Sequence, residues 1–151
     1  MLELARETDW DAVKTLSLQM HQQRVSWRPD LYVACQEPYP REKFLEDIRQ
    51  RMVYLVRMEQ VVAGYVVLSM QKKDGPGMIS RKVMCLEAIC VEESIRGHGL
   101  GKEMMADVRA LARAFGCKEI SLRVHAENDP AVGFYQKCGF RIRTINMDMK
   151  L

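Results

Sequence analysis

Three glycines separated by single residues, Gly97, Gly99 and Gly101, stand between two basic residues, Arg96 and Lys102. Glycine has no Cβ, so a ligand can approach the main chain closely and left-handed dihedrals are available. An apolar run, Leu86 to Val91, precedes these glycines and a helix-periodic run follows them. The amides of such a turn and of the first helical residues converge, and the positive end of the helix dipole adds to them. The arrangement can hold an anion, and a phosphate or pyrophosphate is the obvious guest.

Spacing demotes the two best-known phosphate loops and leaves a P-loop nucleotide-binding protein as a distant third reading. The nucleotide-hydrolase loop needs G-x-x-x-x-G-K and then Ser or Thr, whose hydroxyl binds magnesium. Here Gly97 and Gly101 are one residue too close, and Glu103 stands where the hydroxyl belongs. The dinucleotide fingerprint needs G-x-G-x-x-G, whereas this chain has G-x-G-x-G.

A second pattern follows: Asn128-Asp129-Pro130-Ala131-Val132-Gly133-Phe134-Tyr135-Gln136-Lys137-Cys138-Gly139-Phe140. Together with Arg96-x-x-Gly99-x-Gly101, it resembles the GNAT superfamily of N-acetyltransferases, whose corresponding segment reads N-x-x-A-x-x-F-Y-x-K-x-G-F. The resemblance covers residues 82 to 151 well and the N-terminal half in layout only. It implies acetyl-CoA as cofactor, with the pyrophosphate on Arg96, Gly97, His98, Gly99, Leu100, Gly101 and Lys102. It implies a pantetheine arm along Ile89, Cys90 and Val91, an oxyanion-type amide near Ile89, and further cofactor contacts from Asn128, Ala131 and Tyr135. Asn128 has two readings, a hydrogen bond to the arm or a helix cap.

The implied reaction is direct attack of an amine on the thioester, with Tyr135 as the acid that protonates the leaving thiolate. Glu87 is the base candidate. Leu86-Glu87-Ala88-Ile89-Cys90-Val91 resembles the L-E-D-x-x-V run of spermidine/spermine acetyltransferases, and a carboxylate among apolar strand residues is expected to hold its proton more tightly. Their aspartate is Ala88 here, which weakens a polyamine reading. A Glu87 facing solvent is the alternative, and His125 is the rival base. The acceptor pocket is expected from residues 20 to 40, with Arg24, Trp27, Arg28, Asp30, Tyr32, Glu37 and Tyr39 as its polar and aromatic content.

These residues must be positioned by one domain, 1–151. Apolar residues make up 48% of the chain and charged ones 28%, the composition of a globular protein. No apolar run is long enough to span a membrane, and the start of the chain has no signal-peptide core; a cytoplasmic protein is expected. The net charge of +3 is spread among acids, which points away from nucleic acid and membrane surfaces. Five unpaired cysteines and three histidines show no metal spacing, so no metal is expected.

The pattern predicts a strand at 2–6, a capping box at Thr8-Asp9-Trp10-Asp11, a helix to about Arg24 and a helix at 41–51. Strands follow at 53–58 and 61–70 around Glu59-Gln60, with Gly64 marking a bulge or close backbone contact. A turn at 72–77 precedes a strand at 82–91, and a helix from Leu100 ends at Gly116. A strand at 119–124, a helix capped by Asp129 with Pro130 first, and β structure from Phe140 to Leu151 complete the chain. The strand-helix-strand unit requires a parallel pair. The expected fold is α/β: a mixed, mostly antiparallel sheet flanked by helices. The expected activity is acetyl-CoA-dependent acetylation of a primary amine on a small molecule. The alternatives are a protein N-terminal or lysine acetyltransferase and a non-catalytic CoA-binding regulatory module. The partner is then a small-molecule or protein amine, and the assembly a monomer or homodimer.

Overall fold

A computed structural model describes residues 1–151. The elements are β1 (Glu3–Leu4), a 3-10 turn (Glu7–Asp9), α1 (Trp10–Trp27), α2 (Arg41–Arg49), β2 (Val53–Met58), β3 (Val61–Lys73), β4 (Arg81–Val91), a second 3-10 turn (Glu93–Ile95), α3 (Leu100–Ala114), β5 (Glu119–Leu122) and α4 (Asp129–Lys137). The five strands lie in sequence order, antiparallel except for the parallel pair β4–β5. The mixed, mostly antiparallel sheet flanked by helices is therefore present.

Strand alternation separates two apolar layers. Tyr54, Val56, Val66, Leu68, Met84 and Leu86 pack with Met104, Met105 and Val108 of α3. Val53, Leu55, Tyr65 and Val67 pack with Val13 and Leu16 of α1 and Phe44 of α2. The β2–β3 turn has Glu59 and Gln60 at φ 49° and 70°. A two-residue hairpin that matches strand twist needs positive φ at both positions, and here it is made without glycine.

Several expectations are corrected. Thr8 does not cap α1: Asp9 reaches back to accept the Arg6 amide at 2.8 Å and pairs with Arg57 at 2.6 Å. Helix α1 runs three residues further than expected, to Trp27. Asn128, not Asp129, caps α4, and Pro130 is its second residue. The largest miss is residues 140–151, which form no strand. Asp148 pairs with Arg28 at 3.6 Å and Lys150 with Asp30 at 3.1 Å. These pairs tether the tail at the surface, where Ile145, Met147 and Met149 are exposed at 79%, 87% and 84%. The alternation is strand-like, but no neighbouring strand completes it.

Candidate active site

The site is built where β4 stops being an ordinary strand. Val67 pairs with Ala88 and Leu68 with Leu86, so Glu87 has no partner across β3 and forms a bulge. Strand β5 pairs only with Val83 to Leu86. From Glu87 to Val91, β4 therefore has β3 on one side and an unoccupied edge on the other. Beyond the bulge, Ile89 and Val91 lie against the α3 layer, while Ala88 and Cys90 lie against the α1 layer. Burial pushes the Cys90 thiol up to about 11, which keeps it protonated and unreactive.

Gly64 explains how β3 and β4 stay close here. A Cβ at this position would lie 2.6 Å from the Cys90 carbonyl oxygen and 3.2 Å from Met104. The β2–β3 register also slips beside it, from Val56–Gly64 to Arg57–Val62. Both features expected of Gly64 are present.

The glycine loop follows. Gly97 and Gly99 adopt φ 82° and 90°, and nothing lies within 4 Å of where their Cβ atoms would be. Gly101 has a different role: its missing Cβ makes room for the Phe134 ring at 3.4 Å, seating α4 against the start of α3. Arg96 Nε donates to the Val91 carbonyl at 2.9 Å, Glu92 accepts the Ser94 amide at 2.8 Å, and the Lys102 and Glu103 amides both donate to Gly99 O. His98 Nδ1 sits 3.1 Å from the Arg96 carbonyl. The amides of residues 97 to 101 have no protein acceptor. Five free amides at the start of a fifteen-residue helix are the donor set an anion needs. The Lys102 amide, next in line, is engaged with the Gly99 carbonyl.

Replacing Gly99 with Val is expected to weaken acetyl-CoA binding by about tenfold or more, because a β-branched residue strains φ near +90° and intrudes on the amides. Calorimetry on the folded variant checks this, and unchanged affinity would remove the loop from the binding site.

On α4, Asn128 Oδ1 accepts the Ala131 amide at 3.2 Å. The cap is therefore made, and the Asn128 side-chain NH2 remains free to donate. Tyr135 is half-buried between Phe134 and Phe140, with ring centroids 5.3 and 5.7 Å away. Its hydroxyl has no protein hydrogen bond, and burial pushes its pKa up to about 12.

On the opposite side of β4, a cavity of about 450 Å³ lies among α1, α2, β3 and β4. Glu87 lines it and accepts the Ser69 hydroxyl at 2.5 Å. Glu87 is exposed rather than enclosed by apolar strand neighbours, because the bulge turns it out of the sheet's packing. Asp47 is buried in the wall, accepting the Tyr39 hydroxyl at 2.6 Å and pairing with Lys43.

Arg24 and Tyr39 of the expected acceptor region line this cavity. Arg28, Asp30 and Tyr32 do not. Tyr32 OH meets His125 Nε2 at 2.8 Å, and Arg28 binds Asp30 and Glu127 at 2.9 and 3.3 Å, tying the loop after α1 to the turn before α4. His125 is thus held away from Glu87's cavity. Sequence reasoning missed Lys43, Asp47 and Ser69. Asp47 was detectable, because an acid three residues after Phe44 falls on the apolar stripe of α2.

Known proteins agree with this architecture. The profile of the acetyltransferase (GNAT) family matches residues 17–140. Glucosamine 6-phosphate N-acetyltransferase of Trypanosoma brucei brucei is 32% identical over 90 residues, which span 60% of this chain and 58% of that protein. An N-alpha-acetyltransferase of Sulfurisphaera tokodaii is 25% identical over 72% of this chain and 69% of its own length. The F44R variant of protein BH1408 from Bacillus halodurans superposes with a TM-score of 0.95 at 24% identity, covering 100% of this chain and 99% of that one. An aminoglycoside N-acetyltransferase, AAC(6')-Iy, solved with CoA, gives a TM-score of 0.70 at 20% identity over 100% of both chains. With the family profile spanning most of its length, the chain belongs to the acetyltransferase (GNAT) family.

Proposed function

We propose that this chain transfers an acetyl group from acetyl-CoA to a primary amine of a small molecule. The observation that carries the reading is the β4 bulge. It presents Glu87 to a cavity on one face and leaves Ala88 to Val91 with an open edge that ends at five free amides. The residues fit acetyl-CoA: the amides of 97–101 suit its pyrophosphate, and the open edge suits an extended arm that hydrogen-bonds along a strand. Bound there, acetyl-CoA supplies the thioester carbonyl that an amine attacks.

Glu87 takes the proton from the acceptor ammonium, directly or through a water. The Tyr135 hydroxyl, uncommitted to any protein group, donates to the sulfur as negative charge grows there. A 450 Å³ cavity lies within the range of small-molecule sites, which supports a small amine over a peptide. The similarity to an N-alpha-acetyltransferase over 72% of the chain keeps a protein α-amine as the second reading. The test is release of free CoA thiol from acetyl-CoA with a panel of small amines and N-terminal peptides. Transfer to peptides alone would replace the first reading with the second, and tight CoA binding without transfer would leave a non-catalytic module.

Glu87→Gln is expected to lower the rate most near pH 7 and least near pH 10. An alkyl ammonium has a pKa of roughly 10, so below it the acceptor must lose a proton and above it the free amine is already present. Rates of both enzymes across that range check this. A flat ratio would remove Glu87 as the base.

A further inference from the structure

We infer that the cavity selects an acceptor that carries an anionic group, carboxylate or phosphate, besides its amine, with Arg24 holding the anion and Glu87 facing the ammonium. The inference rests on the reading of this cavity as the acceptor site.

Four charged side chains line the cavity: Arg24, Lys43, Asp47 and Glu87. Lys43 and Asp47 pair with each other, and Asp47 also accepts from Tyr39, so that pair is internally satisfied. Glu87 has only the neutral Ser69 hydroxyl. Arg24 forms neither an ion pair nor a side-chain hydrogen bond, although twelve ion pairs occur in the molecule. The two unmatched charges are therefore one cation and one anion, contributed by different walls.

Helix α1 determines where Arg24 points. Ser17, Met20 and Arg24 recur at helical spacing and all three line the cavity. Arg24 is partly buried and shares the cavity lining with Met20, Val67 and the buried Tyr65, so the guanidinium belongs to a wall that is partly apolar. A guanidinium presents a planar fork of donors that matches carboxylate and phosphate oxygens, and charge-assisted hydrogen bonds gain strength where water is partly excluded. A second ammonium in the same position meets repulsion instead. The cavity thus favours an amine with a negative tail and disfavours a diamine.

Matched probes test the inference. They are γ-aminobutyrate and phosphoethanolamine, their anion-free counterparts butylamine and ethanolamine, and putrescine. The wild-type protein is expected to acetylate at least one anionic probe with kcat/KM about tenfold or more above its anion-free counterpart, with putrescine poorest. Arg24→Met should remove that preference, a loss of about ten- to a hundredfold for a charge-assisted contact. The KM for acetyl-CoA should not move, and Arg24→Lys should restore part of the preference. Equal use of probes with and without the anionic group, or a preference for putrescine, overturns the inference and leaves the transferase reading intact. An Arg24→Met defect in the KM for acetyl-CoA with every acceptor also overturns it, by assigning Arg24 to the donor. If no probe turns over, the small-amine reading falls. Calorimetry of the two anionic probes with CoA-loaded protein then decides Arg24 alone: binding lost in Arg24→Met supports it, and no binding by wild type overturns it.

Discussion

Replacing Tyr135 with Phe is expected to slow turnover by about a hundredfold or more, the usual loss when a positioned acid is removed. Affinity for acetyl-CoA and the melting temperature should hardly change. Only an oxygen is lost, from a ring that still packs between Phe134 and Phe140, and that oxygen has no protein partner to orphan. Its pKa of about 12 means the hydroxyl is a donor throughout the working range. An ordinary thiol titrates near 8.5, so complete proton transfer from this phenol to a thiolate is uphill. The contribution is a hydrogen bond that strengthens as the sulfur gains charge, and solvent completes the protonation. Steady-state kinetics with any accepted amine checks this, and a wild-type kcat would return Tyr135 to a packing role.

Phe44→Ala is expected to destabilise the fold by about 3–5 kcal/mol, a large share of the roughly 5–15 kcal/mol that a domain has. Phe44 is 0% exposed, with Trp10 and Tyr39 rings 5.3 and 5.9 Å away. It joins α2 to the sheet, and α2 carries Lys43 and Asp47 into the cavity wall. The melting temperature should fall by about ten degrees, as a loss of that size gives in a 150-residue chain. Acceptor KM should rise more than acetyl-CoA affinity falls, because the glycine loop lies beyond the other layer. Thermal unfolding followed by circular dichroism is the measurement, and a shift of about a degree or less would mean that the site collapses without cost.

The second half of the sequence could be read closely because its signals are local. Gly97, Gly99 and Gly116 take positive φ where the pattern asked for it, and Asn128 to Gly139 make one short capped helix. The acceptor side was read less well because it is assembled from separate elements. Nothing in the order of residues says that Asp47 of α2, Ser69 of β3 and Glu87 of β4 share a cavity, or that Tyr32 turns away to His125. The tail failed for a related reason. Ile145, Met147 and Met149 alternate as a strand does, but alternation describes a face, and a strand also needs a neighbour to pair with.

The extra residue at Glu87 also acts as a phase shift in how the chain must be counted. Even-numbered side chains of β4 point toward α3 up to Leu86, and odd-numbered ones do so from Ile89 onward. Deleting Glu87 alone would restore an unbroken pleat and leave every later side chain on its present face, with Leu86 toward α3, Ala88 toward α1, Ile89 toward α3 and Cys90 toward α1. What would be lost is the carboxylate in the cavity wall and the local bend of the strand. A deletion of equal size between Asp74 and Ser80, which lie outside any strand, would remove nothing from the site. Length variation among chains built this way should therefore be common in that turn, whereas a residue lost at the bulge keeps the two faces of β4 and costs the site its carboxylate.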